Sequence, residues 1–281
     1  MDRPLDDQIF RVLVHGSETL RGAGARYGDI RAIDRRHEWI DVRNDALDRA
    51  FESDERGFGV RALVGNAWGF AAATELTTAA IQAAALEAVA MARASAPAAG
   101  RPVDLGSEPP QRGRWATPCE RDPFDGVTTE EKVATLRGLT ALMRKTPEIT
   151  SAVATTVAIR TDTWFVSTEG SRLQQRTTVT GGSLTATATA HGDTQQRTYP
   201  KHFEGNVHGG GWERFLALKL EDHAERVASE AVALCSAPTC PAIKDATVIL
   251  DGSVLSLQVH ESCGHPTELD RAFGEEISLA G

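Results

Sequence analysis

Gly57-Phe-Gly-Val-Arg-Ala-Leu-Val64, Gly65-Asn66 and Ala67-Trp-Gly-Phe-Ala71 decide the fold class. A run suited to a strand halts at a Gly-Asn pair and then resumes, which is the pattern of a β-hairpin. A helix over about 78–95 follows, opened by threonines able to cap it. Ile81, Ala85, Ala88 and Met91/Ala92 form its apolar stripe. Upstream, residues 29–45 alternate in part between apolar and polar and read as one or two strands. Strands backed by one helix make a first α+β unit, residues 1–100.

Residues 96–127 are rich in proline, glycine and charge, and 101–127 is expected as a linker. A second unit, 128–240, opens with a helix over 128–145, with Thr128 or Thr129 as cap and Glu130 and Glu131 in its first turn. Residues 150–191 read as a four-stranded antiparallel meander punctuated at Asp162, Glu169-Gly170 and Gly181-Gly182. A glycine-rich loop, Gly205 to Gly211, leads into one long helix from about 212 to 235. A third unit, 241–281, begins with a strand at 246–250, a turn at Asp251-Gly252-Ser253, and a helix at 254–264. That helix is apolar nearly all round and is expected to be buried.

The composition excludes several classes of function. The formal net charge is −9 and no Lys/Arg block offsets it, which argues against binding nucleic acid phosphates. Four scattered cysteines are no disulfide framework, so reduced thiols in a cytoplasmic protein are expected. Met1 to Val14 does not read as a signal peptide. Glu75, Gln82, Glu87 and Arg93 interrupt the alanine-rich run 71–99, which reads as a helix in water and not in a membrane.

The chemistry is carried by His260-Glu261-Ser262-Cys263-Gly264-His265. Imidazoles ligate zinc, and a carboxylate beside them can take a proton from water, so the combination points to hydrolysis. The histidines are five apart, which on a regular α-helix turns them about 140° away from each other. They can share an ion only where the helix widens, as in a π-bulge, or ends before His265. Gly264 and Pro266 favour such a distortion. Glu268 and Asp270 are candidates for carboxylates that orient a ligating histidine, with a solvated or capping acid as the alternative. Cys263 reads as a small buried residue. His208-Gly209-Gly210-Gly211-Trp212 resembles an esterase oxyanion loop, but the chain has no Gly-x-Ser-x-Gly elbow. Gly57-Phe-Gly59 lacks the third glycine of a dinucleotide fingerprint.

The chain resembles the TldD/PmbA family of metallopeptidases, also called modulators of DNA gyrase. The resemblance rests on Gly28-Asp29-Ile30-Arg31, Glu55 to Val64, Trp68-Gly69-Phe70-Ala71 and the helix after it. It continues through Gly210-Gly211-Trp212-Glu213, His260-Glu261-x-x-x-His265 and Gly264-His265-Pro-Thr-Glu-Leu-Asp-Arg271. It implies a cytoplasmic zinc-dependent peptidase acting on short or unstructured peptides, and a homodimer or a heterodimer with a PmbA-type subunit around an enclosed cavity. The motif implies the catalytic TldD type, with His260 and His265 on zinc and Glu261 as general base. The third ligand it implies is a cysteine beyond residue 281, so the chain is expected to be C-terminally truncated and inactive alone. The alternative is a non-catalytic scaffolding subunit of such a heterodimer.

Overall fold

The computed structural model describes residues 7–100, 102–106, 109–200 and 206–276. Residues 1–6 and Gly205, which enter the readings above, lie outside them. The element order begins with α1 (Asp7–Gly22), β1 (Tyr27–Arg43), β2 (Ala46–Val64), β3 (Ala67–Ala73) and α2 (Thr78–Ser95). It continues with β4 (Arg112–Ala116), α3 (Thr129–Met143), β5 (Ile149–Ser167), β6 (Arg172–Ala190), β7 (Asp193–Tyr199) and β8 (Asn206–Gly209). Next come α4 (Trp212–Ala217) and α5 (Leu220–Leu234). The strands form one sheet in the order β3-β2-β1-β5-β6-β4, with β7 and β8 also paired to β6. All pairings are antiparallel except β4 with β6. The architecture is α+β, as the sequence predicts.

Two cores lie on one pleat face, because side chains two apart along a strand share a face. Ile30 and Ala32 of β1 pack with Leu13, Leu20, Ile81 and Ala85 from α1 and α2. Ile40 and Val42, further along the same face, pack with Leu136, Met143, Val227 and Ala231 from α3 and α5. Between them the strand turns polar at Asp34, Arg36 and Glu38. Lys132 of α3 fills this gap; its Nζ lies 2.5 Å from Glu38 Oε1, and both residues are buried.

Both foreseen caps form: Thr77 Oγ1 accepts from Ala80 N–H and Thr128 Oγ1 from Glu131 N–H, each at 3.2 Å. The strands depart further from expectation. Residues 150–191 make two strands of 19 residues, not four. The turn at Glu169-Gly170 is real, with Gly170 at φ +105°. Asp162, in contrast, is mid-strand and nearly buried, held by Arg176 across the ladder at 2.7 and 2.8 Å. Gly181-Gly182 is mid-strand too. A Cβ on Gly181 would lie 1.7 Å from Asn206 O, and one on Gly182 would lie 2.7 Å from the Phe215 ring. These glycines admit close neighbours to the strand; they do not turn it.

The helix expected at 212–235 breaks at Lys219, which has φ +46°. The expected strand 57–64 starts at Ala46, since β1 pairs with it throughout. β3 covers only Phe58–Val64 of it, so among the described residues 46–57 have one sheet neighbour. The α1 helix and the short β4 inside the proline-rich stretch were not anticipated.

Removing one partner of a buried ion pair leaves the other charge unpaired. Glu38→Leu or Lys132→Met alone is expected to destabilise the fold by about 3–5 kcal/mol. Glu38→Leu with Lys132→Met should lose less than the sum of the single changes. Urea unfolding of the four proteins checks this, and strictly additive losses would refute the coupling.

Candidate metal centre

Residues 246–250 form no strand. Asp251 caps the next helix, α6 (Gly252–Gln258), its Oδ1 accepting from the Ser253 and Val254 N–H groups at 3.1 Å each. The chain then widens into a π-helical turn, Val259–Gly264, followed by a 3-10 turn, His265–Thr267, and α7 (Leu269–Ala272). The expectation of burial fails here: Val254, Leu257, Val259, Leu269 and Phe273 are all exposed, and so is Cys263. The physical reason is that α6 packs on the π-turn after it and gains no second layer among the described residues.

The wide turn brings the two histidines together. His265 N–H donates to His260 C=O, a bond across five residues. That spacing carries both rings to one side, where a regular α-helix would separate them. Pro266 has no N–H, so the next α-helical bond cannot form and normal winding does not resume there. The ring centroids are 4.6 Å apart and nearly perpendicular. Glu261 sits between them, with Oε1 3.8 Å from His260 Nε2 and Oε2 3.8 Å from His265 Nε2. One ligand atom from each of His260, Glu261 and His265 lies within 4.8 Å of the others. Two imidazole nitrogens that close suit a metal ion such as zinc, which takes nitrogen donors at about 2.0–2.1 Å, and leave the Glu261 carboxylate beside it.

The two flanking acids part company. Glu268 Oε1 is 3.0 Å from His265 Nδ1. With the proton on Nδ1, that contact leaves Nε2, the nitrogen facing Glu261, free to donate its lone pair. Arg271 pairs with Glu268 and donates to His265 C=O at 3.1 Å, so one guanidinium steadies both. Asp270 instead accepts from the Arg271 N–H at 2.9 Å and serves the chain locally. The sequence reading gave Arg271 no place in the site; its one signal is the three-residue spacing from Glu268.

The rival stretch at His208, expected as a loop, is strand β8 as far as Gly209, and its donors beyond are spent on structure. Gly210 N–H donates to Thr178 O at 3.0 Å, Gly211 N–H to Glu213 Oε1 at 2.6 Å, and Trp212 N–H to Arg121 O at 2.8 Å. Those donors are engaged and do not form an oxyanion hole.

The molecule is thus an α+β protein with a metal-capable His-Glu-His group on a distorted helix. Its residues 28–92 match the family model described as PmbA/TldA metallopeptidase domain 1, and 122–234 match the PmbA/TldA metallopeptidase central domain. The chain belongs to the PmbA/TldD family. A protein named metalloprotease from Methanothermobacter thermautotrophicus is 27% identical over 261 residues, covering 91% of this chain and 53% of that protein. A crystal structure from Thermotoga maritima, described as a candidate modulator of a DNA gyrase, superposes with a TM-score of 0.58 at 15% identity. It covers 84% of this chain and 49% of that one. TldE from Thermococcus kodakarensis superposes with a TM-score of 0.52 at 12% identity, covering 80% and 47%. The chain therefore spans about half the length of the relatives it matches. The His-Glu-His group falls outside both matched stretches. Among the described residues, no helix is long and apolar enough to cross a membrane.

If Glu268 orients His265, Glu268→Ala should weaken zinc binding about 10–100-fold. Competition with a chromophoric chelator measures this, and an unchanged affinity would make the contact incidental.

Proposed function

We propose that this chain carries the proton-transfer group and two metal ligands of a zinc-dependent peptidase that cuts short or unstructured peptides. The observation that carries the reading is the convergence of His260, Glu261 and His265 on a π-helical turn. The family membership and the relative named metalloprotease support the hydrolytic class.

In this reading the imidazoles of His260 and His265 hold the ion. Zinc bound there supplies a Lewis acid that polarises a peptide carbonyl and makes water a better nucleophile at neutral pH. The Glu261 carboxylate takes the proton from the attacking water and passes it to the departing amine. Glu268 fixes the ring of His265 through Nδ1, and Arg271 fixes Glu268. The whole protein works in the cytoplasm, as a homodimer or with a PmbA-type subunit.

The purified whole protein should hold about one zinc per chain. Glu261→Gln should keep the zinc and lower kcat on an unstructured fluorogenic peptide about 10²–10⁴-fold, while His265→Ala should lose both metal and turnover. Metal analysis and steady-state kinetics decide the matter. A Glu261→Gln protein cutting at the unmodified rate would remove that residue from the mechanism.

A further inference from the structure

The helices cover one face of β1–β3, and the opposite face carries a cavity of about 570 Å³. The ladder register builds it in rows. Asp29 lies opposite Arg61, Arg31 opposite Gly59, Ile33 opposite Gly57 and Arg35 opposite Glu55. β3 adds Phe70 beside Arg61 and Ala72 beside Gly59. Two glycines therefore occupy the middle rows, and their missing side chains make the hollow. Phe70, 55% exposed, leans over it; a Cβ on Gly59 would lie 2.9 Å from its ring.

The charges in this cavity do not cancel. Four arginines line it, and three are matched: Arg35 to Glu55 at 3.5 Å, Arg56 to Asp34 at 3.0 Å, and Arg61 to Asp29 at 2.6 Å. Arg31 has no carboxylate within ion-pair distance among the described residues. Its guanidinium carbon lies 5.8 Å from the centre of the Phe165 ring on the neighbouring strand, a contact that leaves the planar fork of donors available. In a chain of net charge −9, one uncompensated guanidinium beside apolar walls marks a place for an anion.

The walls specify the anion further. Phe70, Ile33 and Ala72 call for an apolar group next to the charge. A carboxylate and an apolar side chain on one residue describe the C-terminus of a peptide. We propose that this cavity binds the C-terminal residue of a peptide, its carboxylate on Arg31 and its side chain against Phe70 above Gly57 and Gly59. The proposal deepens the peptidase reading and rests on it for the choice of peptide over other carboxylates.

The test uses a hexapeptide ending in leucine, labelled with fluorescein at its N-terminus, as free acid and as C-terminal amide. Anisotropy is read in EDTA, so that hydrolysis plays no part. The free acid should bind about tenfold more tightly than the amide, as a charge-assisted contact allows. Arg31→Met should erase the difference, and Arg31→Lys, which keeps the charge but not the fork, should restore part of it. Gly59→Val should weaken both forms by filling the hollow. Equal binding of acid and amide, or a difference that survives Arg31→Met, overturns the proposal. So does displacement by inorganic phosphate as effective as by unlabelled acid at equal ionic strength. Binding as expected in a whole protein that cuts no peptide would sink the peptidase reading alone, whereas cleavage by it with no acid–amide difference would sink the cavity alone.

Discussion

The fold depends on β1 being paired on both edges. From Asp29 to Arg43 its backbone meets β2 on one side and β5 on the other. This ladder joins the first part of the chain to the second, across a segment rich in proline and glycine. Without it, α1 and α2 would hold one small core and α3 and α5 another, each covering too little apolar surface to be stable by itself. The two cores are stages along one twisted surface.

Such a long strand needs a means of crossing from one core to the next. The face that carries Ile30 and Ala32 becomes charged at Asp34, Arg36 and Glu38 before it turns apolar again at Ile40. The charges are neutralised by contacts from outside the strand. Lys132 reaches Glu38 from α3. Arg36 and Arg160 lie against the Phe124 ring at 4.8 and 5.0 Å, and Asp122 holds Arg160 at 3.2 Å. The loop around 122–125 thus covers the polar stretch, which is why a segment read as a linker is tied to the sheet. Trp212 N–H on Arg121 O fixes the same loop to α4.

How much of this the sequence displays depends on the range of the forces involved. Helices α2 and α3 are legible because a threonine cap and an apolar stripe are local signals. The hairpin at Gly65-Asn66 is legible for the same reason. The meander at 150–191 is misread because Asp162 and Gly181-Gly182 look like punctuation, yet Arg176 and the Asn206 backbone give them tertiary duties that local reading does not see. The first half of β2 has no apolar alternation, since β1 alone shelters it. In the candidate metal centre, Gly264 and Pro266 disclose that the helix must distort, and the five-residue spacing of the histidines discloses that both rings share a side only where it does. Arg271 is silent, because its value comes from a contact with Glu268 and a carbonyl. The hollow beneath Phe70 is silent too, since it exists only once β1, β2 and β3 are in register.

The half-bare strand from Ala46 to Gly57 has a consequence of its own. A row of amides and carbonyls with no sheet neighbour among the described residues invites strands from other molecules, and chains of this kind tend to stick together. Here the row is guarded by side chains already committed across the hairpin: Asp48 to Arg43, Arg49 to Asp41, Glu52 to Arg36, Glu55 to Arg35 and Arg56 to Asp34. A stranger laying itself alongside would have to thread this picket of fixed opposite charges, with only Leu47 and Phe51 offering it a greasy foothold. The salt links that hold the hairpin straight are thereby also what a stranger's strand would have to break.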